Sequence, residues 1–157
     1  MNNITTIFKT FRIIHVAQLV GMSVFAIATM IIVRMNLTTP VLADVDRSLQ
    51  VVVVVLSVLM LFIGFRIFKS RIMKIRESKV DGAMRFTQYR SACILWWALI
   101  EAPGLLALAC FIITANYAFF ALGIFHLMVL IMFTPRRENI ILLLDLEHDD
   151  FKNIKGA

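Results

Sequence analysis

One carboxyl stands apart from its surroundings. Glu101, in the run WWALIEAPGLLALA, is the only acidic residue between Asp81 and Glu138. It falls about ten residues into an apolar run that opens near Ser91. As a bilayer-crossing helix rising ~1.5 Å per residue, that run would place Glu101 ~15 Å deep. A lone carboxyl there costs on the order of 2.5–3.5 kcal/mol, so it is expected to be protonated, paired or holding a cation. Two residues later, Pro103 has no amide hydrogen, and the Leu99 carbonyl loses its helical partner. A carboxylate within a turn of an unpaired carbonyl suits a proton, a water or a small cation. Glu101, Leu99 and Pro103 are therefore the candidate proton- or cation-binding set. The competing reading is a neutral acid that bonds a neighbouring helix beside a packing kink.

Three more polar residues interrupt apolar runs. His15 and Gln18 are three apart and share a helix face near the start of the first run, and His126 lies near the middle of the last. Counting back from a turn at Asn116 puts His126 opposite a level about five residues, or ~7 Å, beyond Glu101. His15, Gln18 and His126 are candidates for a polar relay to Glu101; alternatively each joins helices by a hydrogen bond. Trp97, four residues before Glu101, is expected on the same face. Trp96, Trp97 and Tyr89 suit interfacial anchors, but the tryptophans sit deep for a belt and core packing is the expected use. Cys93 and Cys110 fall inside apolar runs with no ligand-spaced His or Cys beside them, so they read as small hydrophobes and no metal is expected. There is no Ser/His/Asp set and no glycine-rich phosphate loop, so neither a cofactor nor an enzymatic activity is expected.

The elements that must position these residues follow from composition and run length. In 157 residues, 61% are hydrophobic and 17% charged, more apolar surface than a soluble fold of this size can hide. The sequence predicts an all-α membrane protein, one domain over 1–157, with four transmembrane helices at about 13–33, 49–65, 91–115 and 117–133. Span two opens on a valine run that a soluble strand could also use, but an open sheet edge is not tolerated in lipid. It is expected to continue into the basic stretch RIFKSRIMKIRESK as a helix near the headgroups, with Gly82 as the break. Asn116 marks so tight a turn that spans three and four must form an antiparallel hairpin. Thr134 and Pro135 are placed as N-cap and first residue of an amphipathic helix at 135–147. Asn36-Leu37-Thr38 fits a glycosylation pattern, on the strength of one tripeptide.

Charge distribution sets the expected orientation. Of 16 Lys and Arg, only Arg34 and Arg47 lie between spans one and two, and none lies in the Asn116 turn. The positive-inside rule then puts the N-terminus, the central loop and the C-terminal tail in the cytoplasm. The net charge of +6 follows these flanks and forms no basic face on a soluble module, so nucleic acid is not an expected partner.

The segments FRIIHVAQLVG, ALIEAPGLLALACFIITANYAFF and FTPRRENIILLLDL resemble a family of short, uncharacterised four-span bacterial inner-membrane proteins. That resemblance covers most of the chain and implies a multi-pass inner-membrane location, with no activity to carry over. A partial resemblance links spans two and three to the proteolipid c subunit of rotary ATPases, whose hairpin has a basic loop and a mid-membrane carboxylate, here Glu101. The departure is span two, which has only Gly64 and is crowded with valine where that family is glycine-rich. The expected function is a non-enzymatic membrane component that binds or relays a proton or cation at Glu101. Its expected partners are the lipid bilayer and either a homo-oligomer or a larger membrane complex. The alternative is a structural or accessory subunit with no ion handling.

Overall fold

The computed structural model describes residues 4–37, 43–78, 80, 82–136, 140 and 143. Four helices account for nearly all of them: α1 Ile4–Arg34, α2 Ala43–Glu77, α3 Gly82–Thr114 and α4 Tyr117–Met132. Three are long and apolar enough to cross a membrane, over Phe8–Arg34, Val45–Glu77 and Met84–Thr114. The fourth, α4, has 16 residues and falls short of the roughly 20 a full crossing needs. The expected runs 13–33 and 49–65 lie in the first two and 91–114 in the third, with Ala115 in the turn, and each helix begins well before its apolar run.

The extension of α2 is the largest. Its 35 residues rise ~52 Å against a hydrocarbon thickness of ~30 Å. Arg66, Lys69, Arg71, Lys74 and Arg76 belong to one continuous helix with the valine run, and Ile72 and Ile75 are buried beneath them. Gly82 opens α3, as its role as a break requires.

Helix ends follow their local chemistry. Asn36 takes a φ of 52° just past α1, a conformation asparagine tolerates better than most residues. The Leu37 amide then reaches the Ile32 carbonyl at 3.2 Å and the Asn36 amide the Val33 carbonyl at 3.1 Å, a Schellman closure. At the hairpin, Ala115 has a φ of 53° and its amide bonds the Phe111 carbonyl at 2.8 Å. Asn116 caps α4 by accepting from the Ala118 amide, and its own amide group donates to both Asp46 oxygens, at 3.2 and 2.9 Å. One residue thus closes α3 onto α4 and fastens α2 to the turn.

Packing is centred on α3, which lies against α2, α4 and α1, while α1 and α4 also touch. The buried positions of α1, Phe8, Phe11, His15, Met22, Ala26, Thr29 and Val33, follow a spacing of three and four, so one stripe faces inward. The opposite stripe, including Ile13, Val20, Val24 and Ile27, is exposed. Adjacent tryptophans point to different neighbours, because successive residues are ~100° apart on a helix. Trp96 packs with Phe68 and Phe133, and Trp97 stacks on Phe11 with centroids 4.8 Å apart. Both are buried, as their expected packing role requires. The expected amphipathic helix 135–147 lies mostly outside the described residues; Ile140, which is described, is fully buried in the same core as Phe8, Ile75 and Phe86.

Candidate functional site

The inward stripe of α1 carries three side chains, one turn apart in succession, against three different groups. Gln18 reaches α3, where its amide nitrogen donates to Glu101 Oε2 at 2.9 Å. Both residues are half-buried. His15, one turn earlier, is fully buried with its ring 4.4 Å from that of Trp97. Its Nε2 lies 3.3 Å from Thr134 Oγ1. The Thr134 hydroxyl donates to the Ile131 carbonyl at 2.6 Å, so its oxygen is left to accept from His15 Nε2–H. In a neutral imidazole the remaining Nδ1 is then a bare acceptor. Neither His15 Nδ1 nor Gln18 Oε1 has a hydrogen-bond partner among the described residues, and both are buried.

Met22, the next inward position, packs with His126 around Gly104. A Cβ at Gly104 would overlap Met22 Cε and come within 2.7 Å of His126 Cβ. That contact pairs His126 with position 104, three residues or ~4.5 Å from the level of Glu101, closer than the sequence count of ~7 Å. Part of the difference arises because the turn uses Ala115 as well as Asn116. His126 is fully buried beside the Ile100 carbonyl, and neither ring nitrogen has a hydrogen bond of good geometry among the described residues.

The residues expected to act together therefore fall into three sets. Gln18 and Glu101 are joined directly. His15 lies one turn to one side, held by Thr134 and Trp97, with no hydrogen bond to Glu101. His126 lies one turn to the other side, also without one. Pro103 is buried in an unbroken α3, and the Leu99 side chain lies by Gly64 of α2, away from α1. Gln18 is the partner that the structure records for Glu101.

Thr134 corrects an expectation. Its hydroxyl turns back to Ile131 and His15, and residues 134–136 are not helical. A threonine beside a proline resembles an N-cap locally, but here a buried imidazole and the Ile131 carbonyl at the end of α4 use the hydroxyl. Met22 was not singled out in the sequence, although it continues the spacing of His15 and Gln18. Among the described residues, no three His, Cys, Asp or Glu side chains gather in a metal-binding group. No family model, curated protein or solved structure matches this chain.

Proposed function

We propose that this small membrane protein binds a proton or a small cation at Glu101, with Gln18 as the group that orients the carboxyl. The observation that carries the reading is the 2.9 Å bond between Gln18 and Glu101, made between two apolar helices. One Glu101 oxygen is engaged and the residue remains half-exposed, so the carboxyl can take a second partner. His15 supplies the relay on one side: its Nδ1 and Gln18 Oε1, three residues along the same face, are both buried without a hydrogen-bond partner among the described residues. His126 serves on the other side, where neither ring nitrogen has a well-formed hydrogen bond among the described residues. In this reading α4 is the fourth span, both ends are cytoplasmic, the location is the inner membrane, and the protein is not an enzyme.

The test is Glu101→Gln in reconstituted vesicles, together with labelling by a hydrophobic carbodiimide, which needs a protonated carboxyl. Wild type is expected to show pH- or cation-dependent flux and labelling at Glu101, both abolished in the variant while the helices still assemble. Wild-type flux and growth from Glu101→Gln would overturn ion handling. For orientation, single cysteines at 34–48 should be labelled from outside intact cells, and those at 66–90 protected.

A second reading, a structural or accessory subunit, is favoured by the α2 surface. Val51, Val55, Val58, Phe62 and Phe65 are exposed along it, and the basic end of α2 continues the same helix. Co-purification of a larger complex that survives Glu101→Gln would select it.

A further inference from the structure

The outward stripe of α1, opposite the Gln18–Glu101 seam, carries an open groove of about 590 Å³ lined by residues of α1 alone. Lys9 and Arg12 stand at one end; Ile13, Val16, Ala17 and Val20 continue from them along one face. Both cations are exposed, as are Ile13, Val16 and Val20. Ala17 is the small residue between larger ones, so the stripe dips there between Ile13, Val16 and Val20. Gly21, one turn on, lies in open space: an added Cβ there would meet nothing within 4 Å.

The dimensions match one leaflet. From Lys9 to Val20 is 11 residues, or ~16 Å, about half of the ~30 Å hydrocarbon thickness. The volume falls in the usual range for small-molecule sites, ~300–1,000 Å³. Two cations at headgroup depth above an apolar strip complement an amphiphile with a negative head. A soluble anion would leave the strip unused, and a neutral lipid would leave both charges unused. The positive-inside pattern accounts for basic residues in this segment, but not for their position in register with the groove.

We propose that this groove binds one anionic phospholipid, its phosphate between Lys9 and Arg12 and an acyl chain along Ile13, Val16, Ala17 and Val20. The site is independent of Glu101, which faces the other side of α1.

The experiment uses the full chain in micelles, titrated with phosphatidylglycerol or phosphatidylcholine of identical acyl chains and read by native mass spectrometry. Wild type is expected to retain one phosphatidylglycerol in preference to phosphatidylcholine. The paired substitution Lys9→Gln and Arg12→Gln should weaken retention about fivefold per charge removed. Ala17→Leu fills the dip without altering charge and should weaken retention of both lipids; thermal unfolding of each variant checks that the fold is intact. Equal retention of the two lipids by wild type, or wild-type retention by both variants, would overturn the proposal. So would displacement by inorganic phosphate, which assigns a soluble anion, or a dimer lost on Ala17→Leu without bound lipid, which assigns a second copy of the chain.

Discussion

Helix α3 is packed on two sides in two different ways. Toward α2 the seam is dry: Gly64 lets α2 approach the Trp96 ring and Leu99, and Phe65 and Phe68 complete an aromatic group. Toward α1 and α4 the seam carries His15, Gln18, Glu101, His126 and Thr29, most of them buried. Apolar contact gains little between helices in lipid, because acyl chains are as apolar as leucine. Close packing must hold the first seam, and hydrogen bonds can hold the second. Both use a glycine at closest approach, which makes the comparison experimental.

The steepest expected effect is steric. At Gly104 an added side chain meets His126 Cβ, which is fixed to the α4 backbone and cannot swing away. At Gly64 it meets Trp96 ring atoms at 2.8 and 2.9 Å and Leu99 Cδ1 at 3.1 Å. Gly104→Val should cost about 3 kcal/mol in a reversible unfolding assay in micelles, more than Gly64→Val. A larger loss at Gly64 would make the dry seam the tighter of the two.

Next comes the polar link itself. A double-mutant cycle of Gln18→Leu and Glu101→Leu should return a coupling of about 1 kcal/mol, in the range of hydrogen bonds between membrane helices. The same cycle on Ser57, a buried α2 residue whose hydroxyl has no partner among the described residues, and Trp96 should return a value near zero. Equal couplings would erase the distinction between the seams.

A smaller effect is expected where the dry seam does use a polar fastening, at its end by the α3–α4 turn. Asp46→Ala removes the two acceptors of Asn116 but leaves its cap on α4, and should cost about 0.5–1 kcal/mol. Hydrogen exchange should quicken at the start of α2 and leave the Gln18 region unchanged. The smallest change is expected outside both seams. Gly21→Ala, in open space on α1, should stabilise by about 0.5 kcal/mol. A loss there would show that the outward face of α1 is packed against something.

Much of this architecture could be read along the chain. Apolar runs separated by polar or basic segments specify long helices, since a backbone in lipid must satisfy its own hydrogen bonds. The tight turn at Asn116 specifies the hairpin. Glu101, His15 and Gln18 could be singled out because polar groups are costly in such runs. The tail was less legible: a threonine before a proline has one local meaning, and the tertiary structure gave Thr134 another.

What sequence alone determined is the inventory: four helices, their order, and which of their residues are polar enough to matter. What only the tertiary structure decided is the pairing. Helix periodicity places Gln18 and Met22 on one face, but it cannot say whether α3, α4 or lipid lies opposite. Nor could it assign Trp96 to α2 and Trp97 to α1. Those choices depend on where α3 can be approached closely, at Gly64 and Gly104, and on the hairpin register set by Ala115 and Asn116. Such contacts join residues far apart in the chain: Gln18 and Glu101 meet across 83 positions, and no local preference encodes that distance.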